Sequence, residues 1–531
     1  MLSHRLIRPP RPRLVTGTRI RSHPLPRPRF SSTEARKTSS PSAVGTGVVS
    51  FAAGLGAGWT LYRSGKSEKK GSSPTVAQTS PVTGASASTT TSLTTTTITT
   101  PDLNELGLSD QIAYTKPPTS EDVTRQLNEH AFTIRGAPGG VDRYDGAQLA
   151  SNSPCEDTYV HGSFSNPFSS AGDGDGNGGK WMAWAVFDGH CGWQLSNLLK
   201  TQLMPFVRRS LADAKPADKS DDVSEEVVHQ ALKKSFTTLD DALVKSATAI
   251  IESDLPFAEK ARRLEPAYAG ACALLTLFDP RSRKLHVAST GDCRAVLGQK
   301  TADGRWVATA LSEDCTGATP SEVARIKAQF PDEPDVVQGG RVWGLQPSRT
   351  FGDGMWKWTA ALKKNLRYHF NGLSLPSHTR YKKYKDGPYV TAEPLVTTTQ
   401  IPDPKDGQPS FLILATDGLW DTMSSEQAVD LVGKWYDRQQ QQKKGQSAVT
   451  EEPEKQAKDF GPTILGWKQQ CKYEDRKATF RDDNAAVHLM RNGLGGADEE
   501  MVRGALAFRY PNSRDIRDDI TVQVVFFSPG R

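Results

Sequence analysis

Residues 411–421 read FLILATDGLWD, an apolar run that stops at an aspartate followed by a glycine. This pattern is typical of a buried β-strand that ends in a turn, and it places the Asp417 carboxylate at the strand end. Residues 180–189, KWMAWAVFDG, have the same pattern and end at Asp188-Gly189. When a sheet sets such strand ends side by side, their carboxylates meet, and clustered carboxylate oxygens bind hard cations such as Mg²⁺ or Mn²⁺.

Two further acidic signatures lie at the ends of predicted strands. Thr290-Gly291-Asp292 closes one apolar run, and Arg517-Asp518-Asp519 stands directly before the strand-like residues 520–527, ITVQVVFF. A single Asp-Gly pair is usually only a turn, but four acidic signatures at strand ends favour a polynuclear metal site. Two neighbouring divalent ions activate water and neutralise a transferring phosphoryl group, so the pattern indicates hydrolysis of phosphate esters.

The sequence also holds a look-alike, because Arg481-Asp482-Asp483 repeats Arg517-Asp518-Asp519. Residues 484–490, NAAVHLM, have a helical pattern, whereas the residues after Asp519 read as a strand. We therefore predict that Asp518 is a metal ligand and that Asp482 lies on the surface. No cysteine has an arginine six residues on, and no paired GDxHG and GNHE motifs are present, which excludes two other classes of phosphatase.

Residues 111–531 alternate strand-like and helix-like segments without an internal repeat, which predicts one domain. Ala271–Phe278 and Lys284–Ala288 flank the turn-forming sequence DPRSR and predict a hairpin. Apolar residues at helical spacing over 227–243 follow Ser224, a typical helix N-cap. Hairpins together with grouped helices favour a layered α+β domain over a doubly wound parallel sheet. The stretches at 354–390 and 434–480 are expected to be surface insertions.

Charge is distributed unevenly along the chain. The net charge is +6, but residues 1–70 carry 14 Lys/Arg against two acidic residues, so this segment has a charge of +12 and the remainder about −6. An acidic body argues against nucleic acid as a partner. The six cysteines form no CxxC pair, so we expect reduced thiols in the core.

The N-terminal segments read as targeting and tethering sequences. Residues 1–33 are rich in arginine and Ser/Thr, which predicts a mitochondrial transit peptide; the alternative is a disordered basic tail. Residues 42–62 carry no charge and are long enough for a transmembrane helix in the inner membrane; the alternative is a flexible part of the leader. Residues 64–110 are Ser/Thr-rich and predict a disordered linker.

These motifs resemble the metal-dependent serine/threonine protein phosphatases of type 2C. The likeness covers about residues 112–531 and is greatest for the pyruvate dehydrogenase phosphatase branch, which matches in 148–157 (QLASNSPCED), 349–353 (RTFGD) and 389–394 (YVTAEP). The resemblance implies a four-layer α-β-β-α sandwich, in which two antiparallel sheets are flanked by helices. It also implies Mg²⁺ or Mn²⁺ as cofactor, as two ions with a weaker third.

The resemblance further implies roles for individual residues. Asp188 would be the bridging ligand, Gly189 a carbonyl ligand, and Asp417 and Asp518 the outer ligands. Asp292 would hold the weaker third ion, and Glu156 and Asp157 would hold metal-bound waters. His190 would protonate the leaving Ser or Thr oxygen. One departure stands out, because the phosphate-gripping arginine of many members is Asn152 here, and a neutral amide lacks the charged bidentate clamp.

The function implied is dephosphorylation of phosphoserine or phosphothreonine by a metal-bridged hydroxide. The resemblance indicates a mitochondrial phosphoprotein as substrate, with the E1 subunit of the pyruvate dehydrogenase complex as the candidate. Residues 42–62 would attach the enzyme to the mitochondrial inner membrane, and the sequence leaves open whether the domain faces the matrix or the intermembrane space. Two alternatives are a catalytically silent scaffold and a phosphatase of a small phosphometabolite.

Overall fold

The computed structural model describes most of the predicted domain. The described residues are 95–98, 112–115, 118–168, 179–215, 223–370, 385–403, 408–444 and 477–528. The predicted transit peptide at 1–33, the candidate membrane helix at 42–62 and most of the linker at 64–110 lie outside them. Within the described ranges, no helix is long and apolar enough to cross a membrane.

The elements are numbered in chain order. The strands are β1 (Thr95–Ile98), β2 (Ile112–Thr115), β3 (Phe132–Ala137), β4 (Val141–Leu149), β5 (Thr158–Ser165), β6 (Lys180–His190), β7 (Gly270–Asp279), β8 (Lys284–Thr290), β9 (Arg294–Lys300), β10 (Trp306–Ala310), β11 (Val337–Gln338), β12 (Arg341–Val342), β13 (Phe351–Gly352), β14 (Leu395–Gln400), β15 (Ser410–Ala415) and β16 (Ile520–Phe527). The helices are α1 (Ser120–Asn128), α2 (Gln194–Asp213), α3 (Glu225–Glu252), α4 (Phe257–Tyr268), α5 (Pro320–Gln329), α6 (Gly354–Lys357), α7 (Ala360–His369), α8 (Asp417–Trp420), α9 (Ser425–Lys443), α10 (Ala485–Leu494) and α11 (Glu499–Ala507).

Two antiparallel sheets form the centre of the domain. Sheet I has the strand order β10-β9-β15-β16-β4-β3, so the last strand of the chain lies in its middle, between β15 and β4. Sheet II has the order β14-β8-β7-β6-β5, and the short strand β13 also pairs with β7. The predicted hairpin is the β7–β8 pair of sheet II.

Side chains of the central strands alternate between two apolar layers, as the period of a β-strand requires. In β6, Trp184 faces the core between the sheets, in the same buried cluster as Leu412 of β15. Phe187 faces the opposite side, in a cluster with Leu199 of α2 and Phe236 of α3. Each fully buried side chain of this size contributes about 1.5–3 kcal/mol, so both faces of sheet II hold the fold together.

Helices cover the outer face of each sheet. Helices α2 and α3 pack on sheet II, whereas Leu127 of α1, Trp435 of α9 and Met490 of α10 share a buried cluster with the outer face of sheet I. Ser424 begins α9 with a capping box, in which the side chains of Ser424 and Gln427 each accept from the other residue's backbone N–H. The predicted α+β sandwich with the layer order α-β-β-α is confirmed.

The structure differs from the sequence expectations in three places. Strand β6 continues past Phe187 to His190, so Asp188 and Gly189 are paired within the ladder instead of forming a turn. The predicted surface insertion at 354–390 contains α6 and α7, and its Trp358 is buried against α3 and α4. Within the segment 64–110, strand β1 pairs with β2, because its run of β-branched threonines favours an extended backbone.

Buried His488 of α10 gives the fold a defined acid sensitivity. Its Nε2 lies 3.2 Å from the Leu431 carbonyl oxygen, and burial lowers the pKa of His488 to about 4. Because this pKa is depressed, the stabilisation is complete above the unfolded value of 6.5 and is lost as the pH falls towards 4. We expect the stability advantage of the wild type over His488→Gln to shrink by about 3 kcal/mol between pH 7 and pH 4 in urea unfolding.

Candidate metal centre

Three aspartates from different parts of the fold bring their carboxylates together. Asp188 lies near the end of β6 in sheet II, and Asp417 is the first residue of α8, separated from β15 of sheet I by Thr416. Asp292 lies between β8 and β9, where the chain passes from sheet II to sheet I. One carboxylate oxygen of each residue lies within 4.8 Å of the others. The two sheets thus contribute jointly to one acidic cluster.

This cluster is electrostatically unfavourable without cations. Burial raises the pKa of Asp188 well above its usual range, and repulsion from Asp417 raises it further. Burial also raises the pKa of Asp417 to about 7, with repulsion from Asp292 adding to the effect. Both side chains remain partly open to solvent, so an ion can reach them. Carboxylate oxygens at this spacing are the donors that Mg²⁺ and Mn²⁺ prefer, so these residues fit a divalent-metal site.

Two glycines allow the close backbone approaches around the cluster. A Cβ at Gly189 would collide with the Glu156 carbonyl oxygen, so a larger residue there would push the 156–157 segment away. A Cβ at Gly418 would collide with the Asp519 carbonyl oxygen and lie 3.2 Å from the Asp518 Cβ. The absence of a side chain at Gly418 therefore allows the segment with Asp518 to lie against the one with Asp417.

Asp518 lies beside the cluster but outside the group of three. Its Oδ1 accepts from the backbone N–H of Asp519 at 2.6 Å and contacts the guanidinium of Arg514. Asp518 is separated from β16 by Asp519, whereas Asp188, Asp292 and Asp417 lie close enough together to share one ion. The role of Asp518 as an outer ligand stays a prediction.

Asp519 organises the loop that carries two other predicted site residues. Its Oδ1 accepts from the backbone N–H groups of Ser151 at 2.5 Å and Asn152 at 2.8 Å. Its Oδ2 accepts from the Glu156 backbone N–H at 2.8 Å and from the Asn152 side-chain amide at 2.9 Å. The Asn152 amide also lies 3.3 Å from Glu156 Oε2. Burial followed by repulsion from Asp519 raises the pKa of Glu156.

Asp157 has a position between the strand ends of sheet I. Its Oδ2 accepts from the hydroxyls of Thr416 at 2.9 Å and Thr521 at 2.8 Å. Asp157 is buried, and this burial, reinforced by repulsion from Asp519, raises its pKa well above the usual range. The Asp157 side chain therefore links Thr416, the residue before Asp417, to Thr521, the second residue of β16.

His190 makes its main contact with an aspartate far away in the sequence. Its Nε2 lies 2.8 Å from Oδ2 of Asp353, which also accepts from the Thr350 hydroxyl at 2.9 Å. Burial alone would lower the pKa of His190, but the negative charge of Asp353 outweighs it and the pKa is raised. Asp353 is fully buried and has a left-handed backbone with φ of 49°, and its Oδ1 has no hydrogen-bond partner among the described residues.

The neighbouring strand β7 makes room for this pair. A Cβ at Gly270 would collide with both His190 Nε2 and Asp353 Oδ2. The Asp353 backbone N–H donates to the Ala269 carbonyl at 2.9 Å, which fixes the left-handed residue beside the end of β6. A non-glycine residue with positive φ is costly to maintain. The space at Gly270, the hydrogen bond to the Ala269 carbonyl and the left-handed backbone of Asp353 together hold the Asp353 carboxylate against His190.

Comparison with known proteins shows the family to which this arrangement belongs. The family model for protein phosphatase 2C matches residues 152–459. A protein phosphatase 2C homolog of Schizosaccharomyces pombe is 37% identical over 417 residues, covering 77% of this chain and 86% of that protein. The chain belongs to the protein phosphatase 2C family. It is therefore a protein phosphatase, a class of hydrolase.

Two mitochondrial members of the family are also similar. The pyruvate dehydrogenase (acetyl-transferring) phosphatase 1 of Saccharomyces cerevisiae is 33% identical over 415 residues, covering 75% of this chain and 70% of that protein. The human phosphatase 2 of the same name is 29% identical over 448 residues, covering 74% of this chain and 79% of that protein. The predicted resemblance to the pyruvate dehydrogenase phosphatases is confirmed.

Within this protein phosphatase 2C domain, sequence reasoning missed two residues. Asp353 lies in the quoted motif RTFGD, but its contact with His190 spans 163 residues and has no local signal. Asp519 lies next to the predicted ligand Asp518, and its four hydrogen bonds to residues 151–156 depend on tertiary structure. The sequence could have identified both only as acidic members of known motifs.

The look-alike signature has a structural role. Asp482 is buried, and its carboxylate accepts from Arg491 at 2.7 and 2.9 Å. The expectation that Asp482 lies on the surface is therefore wrong, because a charged partner in α10 compensates its burial. Its backbone carbonyl also accepts from the indole N–H of Trp435, so the residue joins α9 to α10.

Proposed function

We propose that this phosphatase is Mg²⁺- or Mn²⁺-dependent and removes phosphate from phosphoserine or phosphothreonine in a mitochondrial phosphoprotein. The observation that carries the proposal is the convergence of Asp188, Asp292 and Asp417 within 4.8 Å. A candidate substrate is the E1 subunit of the pyruvate dehydrogenase complex, since two similar proteins bear that phosphatase name. The predicted transit peptide at 1–33 supports a mitochondrial location.

Different groups in the site would have separate roles. Asp188, Asp417 and Asp518, with the Gly189 carbonyl, would hold two ions, and Asp292 a weaker third. When bound, two such ions lower the pKa of a shared water and neutralise phosphoryl oxygens. Glu156 and Asp157 would hold metal-bound waters.

His190 would supply the proton that the leaving oxygen needs. Because its Nε2 faces Asp353, Nδ1 is the ring nitrogen that can exchange a proton with a departing serine or threonine oxygen. The Asp353 carboxylate favours the protonated ring, and it fixes the ring plane through its contacts with Thr350 and Ala269. This assignment makes His190 a general acid and Asp353 its positioning residue.

The targeting segments extend the proposal beyond the phosphatase domain. Residues 42–62 would attach the enzyme to the mitochondrial inner membrane, which stays a prediction because they lie outside the described residues. Protease treatment of mitoplasts would show on which side the domain lies. Digestion of the domain after the outer membrane is opened would contradict a matrix location.

Removal of divalent metal is expected to abolish turnover. Residues 111–531 would be assayed with a phosphothreonine peptide after EDTA treatment and after addition of excess Mn²⁺. We expect activity to fall by at least about 10³-fold in EDTA and to return with Mn²⁺, because metal ions contribute several kcal/mol to such reactions. A Tm increase on Mn²⁺ addition should accompany the recovery.

The same assay separates the alternatives. Undiminished turnover in EDTA would contradict metal dependence, and absent turnover together with absent Mn²⁺ binding would indicate a silent scaffold. Faster hydrolysis of small phosphometabolites than of phosphopeptides would exclude a protein substrate. Phosphorylated pyruvate dehydrogenase E1 should be dephosphorylated faster than an unrelated phosphoprotein if it is the substrate.

A further inference from the structure

Asp292 is held by two neutral hydrogen-bond donors, one on each oxygen of its carboxylate. The thiol of Cys272 in β7 donates to Oδ1 at 3.2 Å, and the side-chain amide of Gln346 donates to Oδ2 at 3.0 Å. Among the described residues, Asp292 is the member of the cluster with Asp188 and Asp417 that has such a donor on both oxygens. The predicted site included neither of the two donors.

We propose that Cys272 and Gln346 are positioning residues that orient the Asp292 carboxylate for the weakest metal ion of the site. This inference rests on the proposed function, in which Asp292 would hold a weaker third ion. A carboxylate that is already oriented loses less rotational freedom when an ion binds. Loss of a hydrogen-bond partner of a metal ligand typically costs about 10- to 100-fold in metal affinity.

The two hydrogen bonds leave Asp292 able to bind an ion. A carboxylate has about four lone-pair sites on its two oxygens, and Cys272 and Gln346 each use one of them. The other lone pairs remain for an ion shared with Asp188 and Asp417, which each place a carboxylate oxygen within 4.8 Å. Both donors are neutral, so they orient the carboxylate without cancelling the negative charge that attracts a cation.

The backbone that carries Gln346 is tied to the residue before Asp292. The Cys315 N–H donates to the Gly291 carbonyl at 2.7 Å, and the Gly317 N–H donates to the Gln346 carbonyl at 3.0 Å. The segment 315–317 therefore connects the two backbones through one hydrogen bond at each end. Because both backbones are fixed, the Gln346 amide meets the Asp292 carboxylate from a defined direction.

The Gln346 side chain is also oriented by a residue on its other side. Its Oε1 accepts from the Arg341 guanidinium at 3.1 Å, which directs the Nε2 donors towards Asp292. Gln346 is half-buried, whereas Arg341 is exposed at the start of β12. A chain of hydrogen bonds therefore runs from the protein surface through Gln346 to the acidic cluster.

The test compares Gln346→Leu with Gln338→Leu, which is the same change at an exposed position of β11. Calorimetric titration of the full-length protein with Mn²⁺ should show two tight ions and one weaker ion for the wild type and for Gln338→Leu. Gln346→Leu should keep the two tight ions within about threefold and bind the third about 10- to 100-fold more weakly. The Mn²⁺ concentration that gives half-maximal turnover of a phosphothreonine peptide should rise by the same factor.

Two substitutions at Cys272 separate the hydrogen bond from the packing of the sulfur atom. Cys272→Ala and Cys272→Ser both remove the sulfur, but serine keeps an O–H group that can donate to Asp292. Cys272→Ala should weaken the third ion as Gln346→Leu does, and Cys272→Ser should restore most of the wild-type affinity. Equal weakening in the two variants would show that Cys272 acts through packing alone and would contradict its role as a positioning residue.

The same titrations can overturn the proposal in three ways. Unchanged or higher affinity of Gln346→Leu for the third ion would show that the amide competes with the ion instead of orienting its ligand. Equal weakening of all three ions would indicate a general effect on the fold. A wild type that binds two ions and no third would overturn the proposal while the phosphatase activity remains. Absence of both Mn²⁺ binding and metal-dependent turnover in the wild type would instead contradict the proposed function, so the two failures are distinguishable.

Discussion

Substitution of Asp417 by asparagine is expected to lower metal-dependent turnover by at least about 10³-fold while the domain stays folded. Asp417 lies within 4.8 Å of Asp188 and Asp292, so an amide there would remove one charged donor from the centre of the cluster. Metal ions contribute several kcal/mol to phosphoryl transfer, and each 1.36 kcal/mol is a factor of ten in rate.

The same substitution should make the metal-free protein more stable. The pKa of Asp417 is raised because burial and the neighbouring Asp292 disfavour its charge, and asparagine removes that charge at nearly constant shape. Urea unfolding in EDTA should therefore give a higher free energy of unfolding for Asp417→Asn than for the wild type. Added Mn²⁺ should raise the Tm of the wild type much more than that of the variant.

A matched control is Asp430→Asn, which changes an exposed aspartate of α9 that pairs with Lys434. This variant should keep wild-type turnover and the wild-type response to Mn²⁺. Turnover of Asp417→Asn within tenfold of the wild type would contradict the assignment of the cluster as the metal centre. Lost turnover together with lost stability would show that Asp417 acts mainly on the fold.

Substitution of Asp353 by asparagine is expected to slow the enzyme selectively on substrates that need a proton. We expect kcat for a phosphothreonine peptide to fall about 10²- to 10⁴-fold, because the neutral amide neither favours the protonated His190 ring nor fixes its tautomer. The rate for p-nitrophenyl phosphate should fall far less, since its leaving group departs without a proton. The ratio of the two rates is therefore the decisive measurement.

His190→Gln should show the same ratio, because it removes the proton donor itself. The control is Asp240→Asn, since Asp240 accepts from Gly352 N–H at 2.8 Å and pairs with Lys357 at 2.6 Å, next to Asp353 but away from His190. Loss of the Asp240 contacts should lower the rates on the phosphothreonine peptide and on p-nitrophenyl phosphate by the same factor. An equal fall in both rates for Asp353→Asn would show that Asp353 has only a structural role.

The sequence predicted the parts of this site that depend on local pattern. Asp188 and Asp417 follow apolar runs, and the runs are strands whose ends meet. Strand pairing was less predictable in detail, because β6 continues through Asp188 to His190 in register with β7, and that register depends on residues about 80 positions away. Local sequence patterns therefore predict that a strand is present more reliably than they predict where it ends.

The contacts that the sequence does not predict are those between distant segments. Asp353 reaches His190 only because β13 pairs with β7 and Gly270 leaves space between them. Asp519, rather than Asp518, holds the loop at 151–156, although the two are adjacent and chemically identical. The sheet sets which of the two neighbouring side chains before β16 faces the loop, and no sequence motif indicates this direction.

The position of β16 has a consequence for how the chain folds. Sheet I is divided into β10-β9-β15 and β4-β3 until residues 520–527 insert between them. Pairings of such high sequence separation form late, so sheet I cannot close until residues 520–527 are available to pair. A chain that has formed β15 but not yet β16 therefore holds sheet I as two separate parts, and the segment that carries Asp518 reaches the acidic cluster only when β16 inserts.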